Sequence, residues 1–206
     1  MSNKQDQIKV KIITIGDSNV GKTALINRYI KNEFIPTVLT SGFGEHFREL
    51  TMKDNGKISL NITDTAGQEK YKSLGSQYFK NVDAILFVFD LSNKQTFTNI
   101  NNWIKFFKEN TSDEDIPKYL IGNKKDLEKE VNEDMIELFL EEHKDFVYKE
   151  TSSKEDTNTI KDMFQEIAEN LYELYKTNKI SKNKNIKLGK GKENNGKCAI
   201  KQKCSK

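Results

Sequence analysis

Apolar residues along this chain form two kinds of stretch, continuous runs and helical stripes. The run at 83–90 is almost entirely apolar, which is typical of a central parallel strand buried on both faces. The segment 54–56, Asp-Asn-Gly, has the turn chemistry of a β-hairpin and separates two β-prone segments. The sequence therefore predicts strands at residues 8–15, 44–51, 57–62, 83–90, 118–122 and 145–149.

Between the predicted strands, apolar residues recur at helical spacing. In the segment 95–109, the side chains of Phe97, Ile100, Ile104 and Phe107 fall on one stripe, as on a helix that packs against a sheet. The predicted helices lie at residues 24–30, 95–109, 132–142 and 160–175. This alternation indicates an α/β fold with helices on both faces of a mostly parallel sheet. In such a sheet, ligands bind outside the carboxyl ends of the strands.

Charge is distributed unevenly along the chain. The 206 residues carry a formal net charge of +3, but residues 179–206 hold 10 lysines and one acid, a net of +9. The remaining residues carry 24 basic and 30 acidic side chains, a net of −6. We therefore expect a mildly acidic domain at 1–178 and a flexible lysine-rich tail at 179–206. This distribution argues against a nucleic-acid binder.

Both cysteines, Cys198 and Cys204, lie in the predicted tail, so no disulfide framework is expected in the domain. The sequence has no apolar run long enough to span a membrane, and it does not open with a signal-peptide pattern. These features predict a protein of the reducing cytoplasm.

The strongest motif is the segment 16–23, G-D-S-N-V-G-K-T, which matches the phosphate-loop pattern G-x-x-x-x-G-K-[ST] at every fixed position. A predicted strand leads into it and a predicted helix leaves it, so the helix dipole favours a bound phosphate. Lys22 can reach the terminal phosphates, and the Thr23 hydroxyl can ligate the accompanying magnesium. The candidate phosphate-binding residues are Asp17, Ser18, Asn19, Val20, Gly21, Lys22, Thr23 and Ala24.

A second motif, D-T-A-G-Q-E at 64–69, directly follows the predicted hairpin. Asp64 at a strand end can hold magnesium through its water shell. Gly67 is placed so that its backbone can approach a terminal phosphate. Gln68 is an amide, which can orient an attacking water but is a poor base.

Two further motifs point to the nucleotide base. In N-K-K-D at 123–126, the Asp126 carboxylate can accept hydrogen bonds from the N1–H and the exocyclic amine of guanine. Adenine offers no such pair, so the motif favours guanine. In E-T-S-S-K at 150–154, a backbone N–H can meet the guanine O6. The stems of Lys124 and Lys154 can lie over the two faces of the base. The candidate base-binding residues are Asn123, Lys124, Asp126, Thr151, Ser152, Ser153 and Lys154.

Together, these four motifs in this order resemble those of a small GTPase of the Ras superfamily, over about residues 8–176. Within the superfamily the chain looks most like a Rab, on the segments E-K-Y-K-S-L at 69–74, Y-F-K-N at 78–81 and F-D-L-S-N at 89–93. Ser18 occupies the second variable position of the phosphate loop, where Rabs usually carry serine. The resemblance implies a six-stranded sheet with five helices, bound GTP or GDP, and Phe34 as the aromatic that packs against the base.

The resemblance also implies a mechanism and partners. Slow GTP hydrolysis is expected, with Lys22 and magnesium neutralising phosphate charge and Gln68 orienting the water. No arginine is placed to act in cis, so an arginine from a GTPase-activating protein is expected. Exchange factors and effectors are the other implied partners of a monomeric switch in vesicle trafficking.

Three positions depart from the Rab pattern. The switch I threonine that ligates magnesium corresponds to Ser41 on ungapped counting, or to Thr40 with a shift of one residue. Thr63 stands where Rabs usually carry Trp, and Cys204 is third from the end, with Cys198 further in. A prenyl group on Cys204 together with the basic tail would supply two signals for reversible attachment to endomembranes. The other interpretation of the tail is a disordered, solvated segment.

Two other functions stay open from the sequence. The unusual switch I and Thr63 are compatible with a hydrolysis-deficient scaffold that binds GTP or GDP. A metabolic phosphoryl-transfer enzyme built on the same loop would need a substrate pocket or a lid domain. The chain has no inserted segment large enough for one.

Overall fold

The computed structural model describes residues 7–35, 43–65, 79–111 and 115–189. The strands are β1 Ile8–Ile15, β2 Phe43–Thr51, β3 Lys57–Thr65, β4 Ala84–Asp90, β5 Lys118–Asn123 and β6 Phe146–Glu150. The helices are α1 Lys22–Lys31, α2 Lys94–Thr98, α3 Ile100–Asn110, α4 Glu133–Glu142 and α5 Thr157–Gly189. Each predicted strand is present within a few residues of its expected position.

The strands form one six-stranded sheet in the order β2-β3-β1-β4-β5-β6. Strands β2 and β3 pair antiparallel as the predicted hairpin, and every other neighbouring pair is parallel. The mostly parallel α/β fold is therefore confirmed. The carboxyl ends of the five parallel strands lie on the same edge of the sheet. The four sequence motifs begin at or directly after the ends of β1, β3, β5 and β6.

Apolar side chains cover both faces of the sheet. On one face, Tyr29 of α1 and Phe164 of α5 stack with ring centroids 4.1 Å apart inside a buried cluster. On the other face, Phe107 of α3 and Phe139 of α4 belong to a second buried cluster with the β4 side chains Phe87 and Phe89. Burial on both faces explains why β4 is a continuous apolar run.

One predicted helix is two helices in the structure. The segment expected at 95–109 contains α2 and α3, which meet at Asn99. Asn99 ends α2 and precedes the first residue of α3, and its side chain donates a hydrogen bond to Asp17 in the phosphate loop. The predicted apolar stripe is confirmed, because Phe97, Ile100, Ile104 and Phe107 are all buried.

The C-terminal helix α5 also continues past its predicted end at residue 175, to Gly189. No glycine or proline interrupts the segment between Thr157 and Gly189, so nothing local stops the helix earlier. The chain divides into two units, Met1–Tyr172 and Glu173–Lys206. The domain boundary expected at residue 178 stays a prediction. Among the helices of the described residues, none is long and apolar enough to cross a bilayer.

The β2–β3 turn packs against α5. Asn55 has a positive φ of 63°, and the backbone N–H of Gly56 donates to the Asp54 carboxylate at 3.1 Å. The Tyr172 hydroxyl contacts both oxygens of that carboxylate at 3.1 Å. A Cβ on Gly56 would lie 1.7 Å from the Tyr172 hydroxyl, so a larger residue here would force the Tyr172 side chain to shift.

Candidate functional site

The phosphate loop connects β1 to α1 at the centre of the sheet edge. Gly16 and Gly21 have φ values of 146° and 95°, a region that favours glycine. A Cβ on Gly16 would lie 2.1 Å from the Val88 carbonyl oxygen, and one on Gly21 would lie 2.3 Å from Asn123 Nδ2. Both glycines are therefore required by close approach as well as by backbone conformation.

Lys22 is the first residue of α1, and its side chain folds back over the loop. Its ammonium donates to the carbonyl oxygens of Gly16 and Asp17, at 2.9 and 2.7 Å. Burial lowers the pKa of Lys22 to about 8, although the nearby carboxylates of Asp64 and Asp17 act in the opposite direction. A buried cation held beside the loop is well placed to meet an anionic ligand.

Thr23 and Asp64 place two side-chain oxygens next to Lys22. The Thr23 hydroxyl donates to Asp64 Oδ2 at 2.6 Å. Burial raises the pKa of Asp64, a residue that is 2% exposed. Its Oδ1 is buried and has no hydrogen-bond partner among the described residues. A buried carboxylate oxygen beside a hydroxyl fits the oxygen ligands that magnesium prefers.

Residues of the α2–α3 segment bind the side chain of Asp17 in the phosphate loop. Asn99 Nδ2 donates to Asp17 Oδ2 and the Trp103 indole N–H donates to Asp17 Oδ1, both at 2.7 Å. Neither Asn99 nor Trp103 belongs to any of the four sequence motifs. Their contact with the loop joins residues distant in sequence, and no local pattern indicates it.

Asn123 connects the base-binding segments to the phosphate loop. Its Nδ2 donates to the Val20 carbonyl oxygen at 3.0 Å. Its Oδ1 accepts from the Ser153 hydroxyl at 3.0 Å and from the Thr151 hydroxyl and the Ser153 N–H, each at 3.2 Å. Asn123 is 1% exposed, so it acts chiefly through these protein contacts.

Asp126 and its neighbours form the other end of the site. The Ser152 hydroxyl donates to Asp126 Oδ1 at 2.6 Å, and Lys154 Nζ lies 4.0 Å from Oδ2. Lys124, with a positive φ of 63°, pairs with Asp90 at 2.7 Å. This pair holds the Lys124 ammonium toward β4, which leaves its aliphatic stem to line the cleft.

A cleft of about 290 Å³ lies between these segments. It combines polar groups at one side with apolar surface from Phe34, which is 39% exposed, and from Ile35 and Leu127. Its lining residues are Asn19, Gly21, Ala24, Phe34, Ile35, Asn123, Lys124, Asp126, Leu127, Ser153 and Lys154. Ile35 and Leu127 are lining residues that the motifs alone do not identify.

The structure thus brings together predicted residues of the phosphate loop, N-K-K-D and E-T-S-S-K, and it places Asp64 of the second motif in contact with Thr23. Four predicted site residues lie outside the described part of the chain: Thr40, Ser41, Gly67 and Gln68. Their roles stay predictions.

Comparison with known proteins agrees with this geometry. A family model described as Ras family matches residues 11–173. The chain is similar to the Ras-related protein SEC4 of Saccharomyces cerevisiae, with 36% identity over 188 residues that cover 90% of this chain and 83% of the relative. It is also similar to the Ras-related proteins RabH and Rab-11B of Dictyostelium discoideum. RabH is 36% identical, over 88% of this chain and 91% of the relative. Rab-11B is 39% identical, over 79% of this chain and 73% of the relative.

Proposed function

Because this chain belongs to the Ras family as a Rab-type small GTPase, we propose that the cleft beside the phosphate loop is its guanine-nucleotide site. The protein is a GTP-dependent switch that hydrolyses GTP to GDP. The switch acts in vesicle trafficking. The proposal for the residues that bind the nucleotide and support hydrolysis is based on the described part of the site and on the sequence motifs.

The observation that carries the assignment is the convergence of three motifs on one cleft. Asn19 and Gly21 come from the phosphate loop, Asp126 from the segment after β5, and Ser153 from the segment after β6. The Asp126 side chain is 7% exposed and is oriented by Ser152. A carboxylate so buried is best satisfied by a base with two adjacent N–H donors, as in guanine.

Thr23 and Asp64 would hold a magnesium ion, since Asp64 Oδ1 is a buried oxygen in need of a partner. When bound, magnesium neutralises charge on the phosphates and helps fix the reacting geometry. Lys22 would contribute positive charge to the terminal phosphates. Gln68 would orient the attacking water, and either Thr40 or Ser41 would complete the magnesium ligands.

Partners and membrane attachment follow from the same assignment. The Ras-family identity suggests an exchange factor, a GTPase-activating protein and effectors as partners. We further propose that the tail at 179–206 attaches the protein reversibly to the cytoplasmic face of endomembranes. Its net charge of +9 would attract anionic lipids, and a prenyl group on Cys204 would add a second signal. The domain is expected to be monomeric.

The test is the identity and turnover of nucleotide on the purified protein with magnesium. We expect co-purified GDP, displacement by GTP but not by ATP, and slow phosphate release from GTP. In Asp126→Asn, the amide would donate where the carboxylate accepted. Preference should therefore move from guanine toward xanthine nucleotides, whose base carries a carbonyl in place of the amine.

Absence of any guanine nucleotide, or equal displacement by ATP, would contradict the assignment. Binding of GTP without any phosphate release would contradict the hydrolytic roles of Lys22 and Gln68.

A further inference from the structure

Arg28 lies in α1 and joins that helix to the loop after β6. Its Nε donates to the Ser153 carbonyl oxygen and one terminal nitrogen donates to the Lys154 carbonyl oxygen, both at 2.8 Å. The other terminal nitrogen donates to the Asn32 carbonyl oxygen at 3.0 Å, at the C-terminal end of α1. One half-buried side chain therefore binds two successive carbonyls of the loop and the end of its own helix.

The chemistry of this contact requires arginine. A guanidinium presents N–H donors in one rigid plane, so two of them can reach adjacent carbonyl oxygens at the same time. A lysine ammonium is a point donor on a flexible stem and cannot reproduce this fork. The two hydrogen bonds from one guanidinium thus hold the loop in position. A single positive charge at the surface would not do so.

The loop that Arg28 holds is the one that orders the base-binding groups. Ser153, whose carbonyl accepts from Arg28, also bonds to Asn123 through its N–H and its hydroxyl. Ser152, one residue earlier, donates to Asp126. Displacement of the loop would therefore change the orientation of the carboxylate that faces the base.

We propose that Arg28 is a positioning residue that fixes the base-binding loop to the helix carrying Lys22 and Thr23. It makes the base side and the phosphate side of the cleft one rigid unit, and it slows nucleotide release. This inference rests on the proposed guanine-nucleotide site and adds to it a residue that touches no ligand.

A purely structural role is the alternative, since Arg28 also contacts the end of α1. Arg48 provides a matched control. Its guanidinium lies 5.3 Å from the centre of the Tyr29 ring, and it donates to the carbonyl oxygens of Tyr29 and Ile30 at 3.5 and 3.3 Å. Arg48 therefore contacts the same helix, and none of its hydrogen bonds described here reaches the base-binding loop.

The experiment measures the dissociation of GDP and of IDP from Arg28→Ala, Arg28→Lys, Arg48→Ala and the unaltered protein, together with urea midpoints. IDP lacks the exocyclic amine that Asp126 is proposed to bind. In Arg28→Ala we expect GDP to dissociate about tenfold faster, since hydrogen bonds from a charged donor are lost. IDP dissociation should change less, so the preference for GDP over IDP should fall. Arg28→Lys should recover part of the loss, and Arg48→Ala should lower the urea midpoint while its preference for GDP is unchanged.

Two results would overturn the inference while leaving the proposed site intact. One is GDP dissociation from Arg28→Ala at the rate of the unaltered protein. The other is an equal acceleration for GDP and IDP with a fall in urea midpoint like that of Arg48→Ala. If instead the unaltered protein bound neither nucleotide, the proposed function itself would fail, and this inference with it.

Discussion

Replacing Asn123 by alanine should release the base-binding segments from the phosphate loop. The change removes one donated bond to the Val20 carbonyl oxygen and three accepted bonds from Thr151 and Ser153. The hydroxyls of Thr151 and Ser153 can rotate toward other partners. The Val20 carbonyl and the Ser153 N–H cannot rotate, and both residues are buried.

The magnitude follows from these two backbone groups. Leaving a buried polar group unsatisfied costs about 1–3 kcal/mol, so about 3 kcal/mol in total is a moderate value for two. If the loss falls mainly on the nucleotide-bound state, GDP should dissociate roughly 100-fold faster, because each 1.4 kcal/mol is about tenfold.

The assay is displacement of a fluorescent GDP analogue by excess GDP, with urea unfolding measured in parallel. Asn132→Ala is the control. Asn132 caps α4 by accepting from the Met135 N–H, outside the cleft, so its loss should cost about 1 kcal/mol of stability and leave GDP dissociation unchanged. A GDP dissociation rate for Asn123→Ala within threefold of the unaltered protein, a difference of roughly 0.7 kcal/mol at most, would refute the reasoning.

Three other substitutions test separate contacts. Gly56→Ala places a methyl group against the Tyr172 hydroxyl and should lower stability by about 1–2 kcal/mol in urea unfolding; an unchanged midpoint would contradict the close packing. Asp145→Asn removes the 2.7 Å ion pair with buried Lys118, at a cost of about 1 kcal/mol at neutral pH because Asp145 is largely exposed. The hydrogen bond from Lys118 lowers the pKa of Asp145 in the folded state, so this stabilisation is present above its unfolded pKa and is lost as the pH falls through the lower folded value. The difference between Asp145→Asn and the unaltered protein should thus be constant from neutral pH to about pH 5 and shrink at lower pH; a difference that persisted there would argue against the ion pair. Ser152→Ala removes the hydroxyl that orients the base-facing carboxylate, and should weaken GDP binding about tenfold in a competition titration, whereas unchanged affinity would exclude that role.

The sheet and the phosphate loop could be predicted because their signals are local. Strand β4 is apolar because both of its faces are covered, and the glycines of the loop are required where the backbone curls. The division between α2 and α3 could not be predicted in the same way. It falls at Asn99, whose side-chain partner Asp17 is 82 residues away in sequence.

Arg28 illustrates the same limit within the site. Its partner carbonyls in the base-binding loop are 125 and 126 residues away along the chain. Backbone carbonyls leave no pattern in a sequence, because every residue carries one. The motifs therefore identified the groups that face the ligand, and the residues that hold those groups in place became apparent only from the fold.

The contact between Trp103 and the phosphate loop gives the molecule an internal optical probe. Trp103 is the single tryptophan of the chain, it is 7% exposed, and its indole N–H donates to the Asp17 carboxylate. Indole emission responds to the charge and hydrogen bonding around the ring. Loading or removing nucleotide alters the field at the neighbouring loop, so the emission of unmodified protein should report the occupancy of the site in real time.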